Sequence, residues 1–494
     1  MSGARFVTVL ATEIRLLLRE RLTWAVLAAL LVALCVGART GAERVTAERA
    51  AVARAAQAEA RAVGEAKAAY ARYARPSPVK VNYWQDPTHA FGYMTQFLTV
   101  HAVKPATPLA ALATGQSDVQ PSLMRVGFGF STVFDDTAYE LGSAARLRLG
   151  AFDLTFVLVY LVPLAVIALA GTRLAAEQDT GILRLLASQP IAPRLATGAK
   201  FGAVALVATT GTLAAAALAL ALFGGLPPLT GWGTTLALLA AALAAYTLLW
   251  VAACAVVVSL WRGAVTALVL LVLAWACAAV AVPAALGLAV EALAPRPSRI
   301  AAIDASRQVQ ERFYSGTEGS RLSADWLASH VPGTGRPGLL DAPEIKRLAR
   351  DAFYDAALAP HRYAARAHST AAADWSGRLA LLSPASAFAL ALETAAGSDA
   401  GRHAAFLAAA ADYRATLRAF FEPRILAQAL HPAPVCDGCQ ARLDFDAYDS
   451  VPVFPVSLDP GTAERQALLS LASLLAGSLL LGLIAFRRLA RWPV

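Results

Sequence analysis

Cys436-Asp-Gly-Cys439 is the sharpest small motif in the chain. Two thiols at that spacing can close a local disulfide, run a redox cycle or supply half of a zinc site. A redox pair needs the first thiol at a helix start, where its pKa falls. This pair instead follows Pro434 and precedes a mixed segment, so a disulfide closing a Pro-rich loop in an oxidising compartment is the first reading, with redox and zinc roles as the competing ones. Among the seven histidines, His361 and His368 are two helical turns apart, while His89, His101, His330, His403 and His431 are scattered. They form no HExxH and no tight ligand cluster, so no metal is expected. Asp444, Asp446 and Asp449 in DFDAYD lack the glycine and distal glutamate of a calcium loop. The chain also has no G-x-x-x-x-G-K-[ST], so it brings no phosphate-cradling loop of its own. It reads as a non-enzyme that binds no cofactor.

The elements around these residues are apolar. Of 494 residues, 57% are hydrophobic and only 16% charged, and the mean hydropathy is +0.53. A water-soluble globule of that composition would expose too much apolar surface. Six segments have the roughly 20 apolar residues that a helix needs to cross a hydrocarbon core. They are 22–38, 151–171, 201–223, 234–260, 264–290 and 467–486. None carries a charge in its middle, and Pro163 and Pro283 each remove a backbone donor inside one. The predicted fold is mainly α, a polytopic membrane protein with six transmembrane helices.

Orientation follows from charge. With the N-terminus cytoplasmic, the inner pieces are 1–21, 172–200, 261–263 and 487–494, which hold twelve Lys/Arg and four Asp/Glu. The two long outer stretches are nearly neutral: 39–150 has thirteen basic and nine acidic residues, and 291–466 has eighteen and twenty. This is the positive-inside pattern, and it places both termini in the cytoplasm. The net charge of +9 is therefore a topology signal, with no nucleic acid expected as a partner.

The cytoplasmic pieces are compact. In ARFVTVLATEIRLLLRER, Phe6, Val9, Leu10, Ile14, Leu17 and Leu18 fall largely on one side with arginines around them, which predicts an N-terminal interfacial helix on membrane lipid. The 172–200 loop has an acid, a turn at Asp179-Thr180-Gly181, a short apolar helix from Ile182 to Ala187, a stop at Pro190, and Lys200 at the next span. That elbow suits docking on a soluble partner.

The run Glu177-Gln-Asp-Thr-Gly-Ile-Leu-Arg-Leu-Leu-Ala-Ser-Gln-Pro190, followed by Gly198-Ala-Lys200, resembles the coupling segment of ABC-2-type transporter permeases. A surface helix followed by six spans is similar to the same family. Ser383-Pro384 to Arg424, with GSDAGRHAAFLAAAADYRATLRAFFEPR, looks similar to the large extracytoplasmic domain of a bacterial subgroup of these permeases, a domain of uncharacterised function. The resemblance implies a subunit of the bacterial inner membrane that pairs with a second permease subunit, as a homodimer or with a sibling. It further implies a separate cytoplasmic ABC ATPase that consumes ATP with Mg, and outward movement of cargo. On this resemblance Glu177, Asp179, Thr180, Gly181, Leu183 and Arg184 contact the ATPase. The alternative function is mechanotransmission, in which the ATPase cycle moves the outer domains against an extracytoplasmic partner protein and nothing crosses the bilayer.

The outer stretches are expected to be mostly helical with some mixed α/β structure. Residues 43–75, rich in Ala, Glu and Arg, predict a strong helix continuing the first span outward. KVNYWQDPTHAFGYM and VGFGFSTVFDD predict short strands or loops. Helical patterns return between Pro295 and Pro423, including 342–358 and 403–421.

Overall fold

The computed structural model describes residues 2–73, 81–117, 119–127, 151–179, 193–224, 229–260, 263–315, 317–332, 338–431, 442–456 and 460–489. It contains six helices long and apolar enough to cross a membrane, so the chain is a multi-pass membrane protein. After the amphipathic α1 (Ser2–Arg19), the single helix α2 (Arg21–Tyr73) carries the first span and continues well past it, as the Ala/Glu/Arg pattern predicts. The second span, Leu154–Gly171, ends in α3 (Val162–Asp179). The third and fourth are α4 (Pro193–Ala219) and α5 (Gly233–Leu260). The fifth comprises α6 (Ala264–Ala276) and α7 (Val282–Leu293) around a π-turn, and the sixth is α13 (Pro460–Leu489).

The second and fourth spans are central, with 72% and 67% of their apolar windows buried, against 17% for the fifth. The outer spans turn large side chains such as Val265, Leu288, Leu479 and Leu480 outward, as lipid contact requires. The short connections 225–232 and 261–263 force neighbouring spans to alternate in direction. The start of α2 and the ends of α3, α5 and α13 therefore share one face of the bundle with α1. The opposite face, here called distal, carries the two long insertions.

The second insertion contains α8 (Arg299–Tyr314), α9 (Glu318–His330), α10 (Pro343–Ala380), α11 (Pro384–Ala396) and α12 (Ala400–Leu430). Strand structure among the described residues is one antiparallel pair, β1 (His101–Val103) with β2 (Leu123–Arg125), in register His101 to Arg125. The two insertions do not fold separately. Phe91, Tyr93 and Met94 of the first share a core with Phe406, Tyr413 and Phe421 of the second and with Phe445, Tyr448 and Phe454. Gln428 stitches them, accepting from Ala90 N at 2.7 Å and donating to the Thr88 carbonyl at 3.1 Å. The Tyr448 hydroxyl donates to the Pro87 carbonyl at 2.7 Å.

Each predicted span overlaps one of these six candidate helices, but the stretch 291–466 does not remain on the distal side. α10 runs back beside α7, and α11 buries Ala385, Phe388, Ala391, Leu392 and Ala395 in the core of the bundle itself. At the tip of this hairpin, Ser473 of α13 donates to the Leu381 carbonyl at 2.6 Å. Ser473 lies near the middle of the span Gly461–Arg488, about 18 Å from Gly461 at 1.5 Å per residue. Tyr246 of α5 packs on Phe388 with ring centroids 5.0 Å apart.

Candidate functional site

The bundle face shared by the chain ends is organised by α1 against the start of α4. Residues three or four apart share a helix face, so Phe6, Leu10, Glu13 and Leu17 form one stripe. A Cβ placed on Gly198 would stand 4.0 Å from Phe6 Cε2, and one on Gly202 would stand 3.5 Å from Leu10 Cδ1. Between them, Lys200 Nζ meets Glu13 Oε1 at 3.1 Å, with both side chains mostly buried. The Gly198-Ala-Lys200 motif thus receives α1: the glycines seat its apolar ridge and the lysine pairs its one inward acid. Trp24 Nε1 donates to the Leu18 carbonyl at 2.8 Å and fixes the corner between α1 and α2.

This corrects part of the predicted interfacial face. Leu17 is fully buried, and Leu10 and Ile14 pack on the bundle, so these residues meet protein. Val7, Leu16 and Leu18 remain exposed for lipid. Glu13 was missed because an acid among arginines reads as a surface ion; its signal was its place on the apolar stripe, four residues before Leu17.

Of the predicted coupling residues, Glu177 and Asp179 close α3, whose backbone reaches this same face; their side chains lie outside the described residues. Thr180, Gly181, Leu183 and Arg184 also lie outside the described residues, as do Cys436 and Cys439. The bracket of the elbow is nonetheless placed: α3 ends at Asp179, α4 begins at Pro193, and α1 lies on α4.

Between this face and the distal domain the spans share one apolar core, from Leu17 to Ala395, crossed by separate hydrogen bonds. Pro163 cannot donate to the carbonyl four residues back, and the turn before it, Val157–Leu161, is π-helical. The released Val159 carbonyl accepts from the Tyr246 hydroxyl at 2.8 Å, and the Tyr160 carbonyl accepts from Trp275 Nε1 at 3.1 Å. Pro283 repeats the device after the π-turn Cys277–Ala281. At the distal rim, Asp153 accepts from Thr114 N at 2.7 Å and from Phe156 N at 2.8 Å, which caps the second span and ties it to the first insertion. Gly37 and Gly41 let α2 pass there, since a Cβ would come within 2.7 Å of the Asp153 backbone or 2.2 Å of the Ala111 carbonyl oxygen. Thr107 donates to the Ala395 and Ala396 carbonyls at 3.0 Å, and Arg402 Nη2 to the Pro105 carbonyl at 2.6 Å, locking the end of α11 to the same insertion.

Beside this lock, Lys104 is buried. Burial, with Arg402 nearby, pushes its ammonium down to about 8. Burial, and then the Lys104 charge, push His403 down to about 4, so its imidazole is neutral. Deeper in the domain, Asp355 gathers Arg362 at 2.6 Å, Arg414 at 3.6 Å and Arg418, which fastens α10 to α12. Among the described residues, no group of three or more His, Cys, Asp or Glu is placed to hold a metal. Cys35, Cys254 and Cys277 are free thiols on the spans.

Residues 305–431 match the profile of a domain of unknown function, DUF3526. The match runs from within α8 to the residue after α12 and includes the inserted α11. No curated protein matches the chain, and no solved structure does.

Proposed function

We propose that the chain is the membrane-spanning permease subunit of an ABC-2-type transporter, an exporter driven by a separate cytoplasmic ATPase in the bacterial inner membrane. The observation that carries this reading is the chain-end face, where α1 is clamped on the start of α4 by Glu13 and Lys200. The end of α3 shares that face, so the 180–192 segment is bracketed by two helices of the bundle. A partner that moved the elbow would move both helices, provided it bound the two positions with different affinity. In this reading Glu177, Asp179, Thr180, Gly181, Leu183 and Arg184 meet the ATPase, and ATP and Mg belong to that partner. Both termini are cytoplasmic, the distal domain is extracytoplasmic, and a second permease subunit completes the path.

A second reading, mechanotransmission, is favoured by one observation. The distal domain is wedged into the bundle by α11 and held by the Leu381, Thr107 and Arg402 hydrogen bonds, so motion of α5 and α13 would be delivered to it.

The test is co-purification with the candidate ATPase in lipid nanodiscs. Gly181→Pro, or a joint reversal of Glu177 and Arg184, is expected to abolish permease-dependent ATPase stimulation while membrane insertion stays normal; unchanged stimulation sinks the coupling assignment. Cargo movement into vesicles carrying both subunits separates export from mechanotransmission.

A further inference from the structure

β1 has one strand beside it and one free edge. Its register pairs His101 with Arg125, Ala102 with Met124 and Val103 with Leu123. Val126 N extends the ladder by donating to the Val100 carbonyl at 3.0 Å, and Lys104 N by donating to the Ser122 carbonyl at 2.7 Å. Hydrogen-bonded positions alternate in an antiparallel pair, so Val100, Ala102 and Lys104 bond to β2 while the N–H and C=O groups of His101 and Val103 point the other way. Among the described residues the sheet has two strands, and no hydrogen bond reaches those outward groups. Natural sheet edges are blunted by lysine, proline or a bulge. Thr99-Val100-His101-Ala102-Val103 carries no lysine or proline, and the side chain of Lys104 is buried.

Thr99, His101 and Val103 are partly exposed and line a cavity of about 320 Å³. That volume is within the range of binding sites, roughly 300 to 1,000 Å³. Its other walls come from α2, with Val52, Ala56 and Val63, and from the irregular segment 451–456, where Val453 is 86% exposed. The polar groups of the lining are already paired. His101 Nδ1 meets Glu59 Oε1 at 2.8 Å, and the Tyr413 hydroxyl donates to the Pro452 carbonyl at 2.8 Å. The cavity therefore suits an apolar group, and the edge beside it suits a backbone. A polypeptide strand supplies both, because it offers N–H and C=O groups at the repeat of the edge and sends alternate side chains to one side.

We propose that an extended segment of a partner protein on the distal side adds to the outer edge of β1 as a third strand and places one large apolar side chain in this cavity. Such a contact does not depend on an ATPase or on cargo, so it is tested on the full chain alone in phosphatidylcholine nanodiscs.

The probes are four fluorescent octapeptides that alternate Thr with Val, Leu, Ile or Phe. At least one is expected to bind saturably to the chain and not to empty discs, and a benzophenone at its centre should crosslink to residues 52–63 or 97–103. Each binder is remade with its odd or its even residues N-methylated. One of the two forms should bind at least tenfold more weakly and the other within twofold of the parent, because only alternate N–H groups face β1. Val103→Pro removes an outward N–H and none from the ladder, so it should weaken binding tenfold with the melting temperature unchanged. Ala56→Trp, which fills the cavity, should weaken binding equally. If Val103→Pro lowers the melting temperature, the methylated pair on the wild-type chain still decides. Binding by none of the four peptides, or crosslinks on lipid-facing α4 and α13, overturns the site. Equal binding of the two methylated forms overturns strand addition. A dimer of the chain that Val103→Pro dissolves makes the occupant a second copy and overturns the partner.

Discussion

Pro163 explains more of the bundle than its position in a span suggests. Its missing N–H frees the Val159 carbonyl, and in lipid no water can replace that bond. The Tyr246 hydroxyl takes it, so Tyr246→Phe is expected to destabilise the bundle by about 1 to 3 kcal/mol, the cost of one orphaned buried group. Detergent-denaturation midpoints of wild type and variant check this; an unchanged midpoint removes Tyr246 as the compensating donor. Glu13 and Lys200 make a second pair whose loss is one-sided. Lys200→Met leaves a carboxylate with little water around it and should cost about 3 kcal/mol, whereas the swap Glu13→Lys with Lys200→Glu should recover most of the loss. If the swap is as unstable as the single variant, the ion pair is not what seats α1.

His403 gives a pH dependence of definite sign. Its folded value of about 4 lies below the ordinary 6.5, so on acidification the unfolded chain takes up the proton first. Its contribution is present above pH 6.5 and is lost as the pH falls towards about 4. The melting temperature should therefore fall across that window, and His403→Phe should flatten the part of the curve that this group supplies.

Among the helices, α11 and α2 do the joining. α11 is thirteen residues long, too short to span a bilayer, yet its apolar side chains complete the core between α5 and α13. Phe388 is fully buried there, and Phe388→Ala should cost about 3 to 5 kcal/mol. If α11 carries the motion of the bundle, the same change should also reduce any ATP-dependent change in the protease sensitivity of the distal domain. A variant that loses stability while that response persists separates the packing role from the transmitting one. α2 works by length. Ala55 and Ala66 are both buried and eleven residues apart, close to three helical turns, so they share one face of α2, and Ala66 joins the distal core.

The two insertions and the bundle make one connected body, and its orientation is open to direct measurement. With the five native cysteines replaced by alanine, a membrane-impermeant maleimide should label Tyr363→Cys in intact cells and Arg488→Cys only after permeabilisation. The reverse pattern would invert the charge-based topology.

The spans, α1 and the outward run of α2 were legible in the sequence, because lipid and helix geometry act on contiguous residues. About 20 apolar residues in a row, or charges every three or four positions, state their structure locally. Most of 291–466 was legible as helix for the same reason, but its placement was not. PASAFALALETAA looks like any short apolar helix of a soluble domain, and only the groove between α5 and α13, with Ser473 waiting for the Leu381 carbonyl, decides that it enters the bundle. The same holds for Glu13 and Tyr246, whose partners lie 187 and 87 residues away, so their burial and pairing exist only once the chain has folded. Contiguous pattern is enough to say which segments are helical and which suit lipid; which polar groups lose water, and what they gain in exchange, is set only by neighbours distant in the chain.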